Sequence, residues 1–88
     1  MLRENRAQTG KSASESPQLG IQSVEVAGDI LNALIHADGP LKLAELAQRA
    51  GMPSAKAHRY LVSLIRIGLA TRDGVSARYD LGPIALQL

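Results

Sequence analysis

A four-residue interruption between two short amphipathic segments constrains this fold more than any other feature of the sequence. The segments are residues 43 to 50 and residues 55 to 67, and each repeats apolar residues at helical intervals, as a helix with one buried face does. Gly51 and Gly68 suit the left-handed ends of these helices, and Ser54 is predicted to cap the start of the second one. Two helices joined by so short a glycine-containing turn form a helix-turn-helix unit.

A further helix is predicted before this unit. The sequence pattern becomes helical from Ile21, and Ser23 is predicted to cap the helix. The helix ends near His36, where the run Ala-Asp-Gly-Pro over residues 37 to 40 stops it. Leu41 is expected to be extended. The apolar residues of this first helix repeat at three- and four-residue spacing. They are Val24, Ala27, Ile30, Leu31, Leu34 and Ile35.

A β-hairpin is predicted after the unit. Two short runs, residues 69 to 72 and residues 77 to 81, flank Asp73 and Gly74, a pair that is typical of hairpin turns. The predicted fold class is therefore mostly α with a small β-hairpin, namely a winged helix-turn-helix with a three-helix core plus a wing.

The length of 88 residues allows one domain at most, because a short chain buries too little surface for two cores. Residues 21 to 82 are predicted to form that domain. Residues 1 to 20 are polar and are interpreted as a flexible N-terminal tail, with a basic arm that enters a minor groove as the alternative. Residues 83 to 88 resemble the opening turn of one more helix.

Composition excludes several classes of function. The chain has no cysteine and only two histidines, which disfavours a disulfide framework and a zinc site. Two tyrosines are its only aromatic residues, so a base-stacking platform for single strands is absent. We find no catalytic or cofactor-binding motif and no apolar run long enough to cross a membrane. The expectation is a non-enzymatic cytoplasmic protein with no cofactor, no metal and no membrane partner.

Charge is distributed unevenly along the chain. Residues 1 to 48 carry six acidic and four basic side chains, whereas residues 49 to 88 carry six basic and two acidic ones. No acidic residue lies between Arg49 and Arg72. This segregation indicates a polyanionic partner for the second half of the chain.

Helical periodicity predicts one packed and one solvent-facing side for the third helix. The packed side is expected to hold Ala57, Leu61, Leu64, Ile65 and Gly68, and the opposite side Lys56, Arg59, Ser63 and Arg66.

The third predicted helix carries most of the candidate DNA-binding residues. Recognition helices present their N-terminal residues to base edges, which favours Ser54, Ala55, Lys56 and Arg59. The planar fork of Arg59 suits a bidentate contact to guanine, whereas Lys56 suits either a base or a phosphate. His58 is interpreted as either a structural hydrogen-bond donor or a phosphate contact.

Three more arginines are predicted to contact the DNA backbone: Arg49, Arg72 and Arg78. The hairpin tip is either a wing beside the minor groove or a plain solvent-exposed hairpin that covers the core. Asp73 would repel phosphate there, while its arginine neighbours would attract it.

Five segments in order resemble the N-terminal domain of IclR-type bacterial transcription regulators. They begin at Gly39, Gly51, Ala57, Ile67 and Tyr79, and they read GPLKLAELA, GMP, AHRYL, IGLATRD and YDLGP. The resemblance covers residues 21 to 88. Four residues depart from the family pattern: Lys42 replaces a Ser or Thr cap, Ala55 and Lys56 replace a Ser-Thr pair, and Tyr60 replaces an aliphatic residue.

The resemblance implies an operator-binding homodimer. Its third helix would enter the major groove, and its first helix would supply the dimer interface through Val24, Ala27, Leu31 and Ile35. It also implies a larger C-terminal domain, absent from this sequence, which binds a small organic effector and follows a linker helix that starts near Pro83.

The function predicted from these observations is sequence-specific binding of double-stranded operator DNA by a transcription regulator. The alternative is a winged-helix module that docks protein partners and does not bind DNA.

Overall fold

The computed structural model describes residues 20 to 87, so the predicted tail lies outside the described residues apart from Gly20. The elements in chain order are α1 (Gln22–Ile35), α2 (Leu43–Ala50), α3 (Ser54–Arg66), β1 (Ala70–Arg72), β2 (Tyr79–Leu81) and a 3-10 turn (Ala85–Gln87). The predicted fold class is confirmed, because these are three helices followed by a two-stranded antiparallel hairpin. The division into tail, domain and linker helix stays a prediction.

The hairpin is attached to the loop that precedes α2. Ala70 pairs with Leu81 and Arg72 with Tyr79, and the backbones of Leu41 and Tyr79 exchange hydrogen bonds of 2.9 and 2.7 Å. Leu41 is therefore extended, as predicted, and forms an isolated bridge to β2. This attachment holds the hairpin beside the helix-turn-helix unit.

The core lies where the three helices and the hairpin meet. Each helix contributes one large side chain that is 0% exposed: Ile30 from α1, Leu46 from α2 and Leu61 from α3. The hairpin adds Ala70 and Tyr79, which are 2% and 5% exposed. Burial of apolar area at this junction is the main force that fixes α3 against the rest of the domain.

The predicted serine caps of α1 and α3 are both wrong. Helix α1 begins one residue before Ser23 and helix α3 begins at Ser54 itself, while the extended residues Ile21 and Pro53 occupy the cap positions. Neither helix has a side-chain cap hydrogen bond. The Pro53 carbonyl accepts from the Ala57 N–H at 3.0 Å, a role that any residue with an extended backbone fulfils.

Helix α2 has the predicted bounds and begins without a serine or threonine. Glu45 supplies a carboxylate oxygen that accepts from the backbone N–H of Lys42 at 3.1 Å. This is one half of a capping box, in which the third residue of the helix reaches back to the cap position. The substitution to Lys42 is thus partly offset by Glu45.

Two glycines end α2 and α3, as predicted. Gly51 has a φ of 74° and Gly68 a φ of 84°, in the left-handed region that favours glycine. These conformations reverse the chain directly after each helix. They set the short turn into α3 and the turn from α3 into β1.

Candidate nucleic-acid interface

Helix α3 buries one side and exposes a basic one. Ala57, Leu61 and Leu64 are buried, whereas Arg59 and Arg66 are exposed and project from the opposite side of the helix. At about 100° per residue, these two arginines lie within about 20° of each other in projection and about 10 Å apart along the axis. Helix α3 contains no acidic residue. The outer side of α3 is therefore uniformly cationic.

The N-terminal turn of α3 is open to an anion or a base edge. Ser54 and Ala55 are exposed and small, so they permit close approach of a partner. Lys56 is half-buried, so it is less exposed than predicted for the outer side of the helix. The first N–H groups of a helix have no intrahelical acceptor, and no side-chain cap and no first-turn acid occupies them here.

The packed side of α3 differs from the prediction at one residue, Ile65. Ile65 was expected on the packed face beside Leu61, yet it is 37% exposed. Ile65 lines an open cleft between α3 and the hairpin. His58 and Arg72 also line this cleft, so the structure brings two of the predicted site residues together.

Arg78 and Arg49 are placed apart from the exposed side of α3. The Nη1 atom of Arg78 donates to the Pro40 carbonyl at 3.4 Å and lies 3.8 Å from a Glu45 carboxylate oxygen. Arg49 lines a cleft between α1 and α2 together with Asp29. Both of these arginines thus have acidic neighbours. Arg72 also has Asp73 nearby, but the cleft that it shares with His58 is lined by no acid.

The pairing of Glu45 with Arg78 is not predicted by the sequence. Its spacing from Lys42 matches a capping box and is readable locally. Its distance of 3.8 Å from Arg78 arises only when the hairpin folds back onto α2. No local pattern in the sequence indicates that approach.

The loop between β1 and β2 is organised by Asp73. One carboxylate oxygen of Asp73 accepts from the N–H of Val75 at 3.1 Å and of Ser76 at 2.7 Å. Backbone and hydroxyl hydrogen bonds from Ser76, the N–H of Val75 and the nearby Arg72 charge lower the pKa of Asp73. The loop also holds Ala77 at a φ of 62° and leaves Val75 97% exposed at its tip.

The stripe predicted for the dimer interface is partly exposed on α1. Val24 and Ile35 are 67% and 58% exposed, and Ala27 and Leu31 are half-buried. Val24, Ala27 and Leu31 also line an apolar groove between α1 and α3. An exposed apolar stripe of this kind is an unusual feature for a solvated helix.

The described range contains neither a metal-binding cluster nor a membrane-spanning helix. Residues 20 to 87 hold no group of three or more histidine, cysteine, aspartate or glutamate side chains that would bind a metal ion. No helix within this range is long and apolar enough to span a bilayer.

A sequence profile of the IclR helix-turn-helix domain matches residues 23–74, more than half of the chain. The chain belongs to the IclR family. Its matched part is the helix-turn-helix DNA-binding domain of IclR-type transcription regulators, which are not enzymes. The predicted family, fold and DNA-binding function are confirmed.

Two individual IclR-type relatives agree with this assignment. The HTH-type transcriptional regulator BhcR of Paracoccus denitrificans is 37% identical over 68 residues, which are 77% of this chain and 24% of BhcR. The crystal structure of HmgR from Pseudomonas aeruginosa is similar with 43% identity and a TM-score of 0.73, over 76% of this chain and 28% of HmgR. The IclR-family chain described here therefore spans about a quarter of these relatives.

The same fold also occurs in an enzyme chain. The O-methyltransferase NcsB1 from neocarzinostatin biosynthesis is similar with 32% identity and a TM-score of 0.58, over 75% of this chain and 22% of NcsB1. A shared winged helix alone therefore does not assign a function. The profile match and the exposed basic side of α3 do so for this member of the IclR family.

Proposed function

We propose that this domain recognises a specific operator by laying α3 in the major groove of double-stranded DNA. The observation that carries the proposal is the outer side of α3, where Arg59 and Arg66 are exposed and no acid is present. Arg59 makes the base contact, because its guanidinium matches the two acceptors of guanine. Ser54, Ala55 and Lys56 lie along the N-terminal turn that approaches the groove most closely.

The remaining predicted site residues contact the sugar-phosphate backbone. His58 on α3 and Arg72 on β1 are both exposed and line the cleft between α3 and the hairpin, which supports that role. Arg49 and Arg78 are assigned the same role with a smaller contribution. Arg49 lies in the cleft between α1 and α2, and Arg78 contacts Pro40 and Glu45, so neither lines the cleft beside α3. Backbone contacts raise the affinity for all sequences and fix the register of the protein on DNA.

A homodimer is the assembly that we propose for binding. The exposed apolar residues Val24 and Ile35, with the half-buried Ala27 and Leu31, form a stripe on α1 that a second copy would cover. Two-fold symmetry of the protein would then match a palindromic operator. Repression follows where such an operator overlaps a promoter, and the proposed compartment is the cytoplasm.

A small organic effector is proposed for the whole regulator only. The chain spans 24% of BhcR and 28% of HmgR, so effector binding belongs to the part of such proteins that lies outside this sequence. In this proposal residues 83 to 88 lead into that part.

Selection of bound sites from random duplexes tests the proposed function. We expect an enriched palindromic motif, with binding that weakens steeply as salt rises because cations are released from the DNA. A matched selection with the Arg59→Ala variant is expected to lose the preference for guanine at one position of each half-site. Failure to enrich any motif, together with no salt-dependent retention on random duplex DNA, would favour the alternative of a protein-docking module.

A further inference from the structure

A cleft between α3 and the hairpin combines hydrogen-bond donors with an apolar floor. His58 lines it from α3 and Arg72 from β1, and both side chains are exposed. Its floor includes Leu61 and Tyr79, which are 0% and 5% exposed. The other lining residues are apolar: Leu43, Val62, Ile65 and Ala77.

Neighbouring clefts differ from this one in charge. The cleft on the other side of the hairpin contains Arg72 and Arg78 but also Asp73 and Asp80. The cleft between α1 and α2 pairs Arg49 with an acid, and the groove between α1 and α3 has no charged lining residue. No carboxylate lines the cleft of His58 and Arg72. Asp73 is close enough to Arg72 to feel its charge, but it lines the cleft on the other side of the hairpin. An anion is therefore favoured in the cleft of His58 and Arg72 over the neighbouring clefts.

We propose that this cleft holds one phosphodiester of the DNA strand that runs between α3 and the hairpin, with His58 and Arg72 donating to the same phosphate. The inference rests on the proposed function and adds a shared site to it. The guanidinium of Arg72 donates to phosphate oxygens through a planar fork. The imidazole of His58 carries at least one N–H donor whichever tautomer it adopts.

The apolar floor suits the rest of the nucleotide backbone. A deoxyribose ring presents a mainly apolar surface next to its charged phosphate, so a sugar-phosphate strand matches a cleft with an apolar base and donors at the rim. A contact of this kind carries no base information but fixes the register of α3. His58 is thereby a positioning residue for the base contact of Arg59.

Single-phosphate neutralisation tests the shared site. The selected operator is prepared as a series of duplexes, each with one phosphate replaced by an uncharged methylphosphonate, and the Kd of the full chain is measured for each. We expect the parent to lose roughly tenfold in affinity at one phosphate of each half-site, the size of a charge-assisted hydrogen bond. His58→Ala and Arg72→Ala are expected to bind the unmodified duplex less tightly and to become insensitive at that same phosphate.

Matched variants separate this result from a general loss of charge or folding. Arg66→Ala removes an exposed arginine of α3 that does not line the cleft, so its sensitivity at that phosphate is expected to match the parent. His58→Gln keeps an N–H donor and is expected to retain part of the sensitivity. Thermal unfolding of each variant checks that the domain is intact.

Two different results overturn two different statements. If the parent selects a motif but His58→Ala and Arg72→Ala lose sensitivity at different phosphates, or at none, the shared site is wrong while the proposed function stands. If the parent binds no duplex at all, the proposed function is wrong and the site falls with it.

Discussion

The Oε1 atom of Glu45 in α2 lies 3.8 Å from the Nη1 atom of Arg78 at the base of the hairpin. The same oxygen accepts from the Lys42 backbone N–H at 3.1 Å, and the same nitrogen donates to the Pro40 carbonyl at 3.4 Å. This group of contacts joins the start of the helix-turn-helix unit to the hairpin. The side chains of Arg78 and Glu45 are 39% and 52% exposed, so water screens the attraction.

Glu45 variants are expected to separate the cap from the ion pair. Glu45→Gln keeps an oxygen that accepts from Lys42 but removes the charge, so we expect a loss below about 1 kcal/mol in the free energy of unfolding. Glu45→Ala removes both roles, and we expect about 1 kcal/mol more. Denaturant unfolding measures both. Equal losses for the two variants would mean that the ion pair, and not the cap, stabilises this junction.

Arg59→Ala is expected to change base preference, in contrast to Arg72→Ala. Arg59 projects from the outer side of α3, and loss of a bidentate base contact costs about 1–3 kcal/mol for the preferred base. Arg72→Ala is expected to weaken all sequences alike and to reduce the salt slope by about 1. Binding titrations with the selected operator and single-base variants, over a range of salt, measure both. If the two variants have the same base preferences as the parent, Arg59 does not read a base.

Gly82→Ala is expected to destabilise the fold. Gly82 is buried, and a Cβ there would lie 2.9 Å from the backbone nitrogen and oxygen of Ala70, with the Gly68 carbonyl closer still. Backbone atoms cannot move aside as flexible side chains do, so we expect a loss of about 1–3 kcal/mol. Thermal unfolding checks this value.

Gly74→Ala is the matched control. A Cβ at Gly74 meets no atom within 4 Å, and we expect a change within about 0.5 kcal/mol. A Gly82→Ala variant as stable as this control would show that the backbone around Ala70 relaxes freely.

Asp73 is expected to titrate below the ordinary aspartate value of 3.8, chiefly because the backbone N–H of Ser76 bonds its carboxylate and lowers its pKa. A carboxyl group whose pKa is lower in the folded than in the unfolded state stabilises the fold above the unfolded value. That contribution is lost as pH falls through the folded value. NMR titration of the carboxyl carbon measures the midpoint, and a midpoint at or above 3.8 would contradict the hydrogen bonds of the loop.

Val24→Asp is expected to impair dimeric binding while the domain stays folded. Val24 is 67% exposed, so the substitution costs little within one copy but places a charge in the proposed apolar interface. Leu86→Asp is the control, because Leu86 is 73% exposed and lies outside both the proposed stripe and the hairpin. Sedimentation on a palindromic duplex counts the bound copies. Two bound copies of Val24→Asp at parental affinity would exclude this stripe as the interface.

Local chemistry in the sequence determined the elements of this fold. The bounds of α2, the left-handed glycines Gly51 and Gly68, and the hairpin around Asp73 each depend on residues close together in the chain. Helical periodicity also separated the buried from the cationic side of α3. The predicted serine caps are wrong because the extended residues Ile21 and Pro53 occupy the cap positions. Their backbone carbonyls accept the first helical hydrogen bonds, and this needs no hydroxyl side chain.

Only the tertiary structure decided which distant side chains meet. Glu45 approaches Arg78, His58 shares a cleft with Arg72, and Ile65 stays partly exposed because of how the hairpin folds back onto the helices. Short sequence patterns indicate the propensity and periodicity of single elements. These contacts depend instead on the packing around Leu61 and on the bridge between Leu41 and Tyr79. Packing of a core is a property of all its elements together, so no single segment of the sequence specifies it.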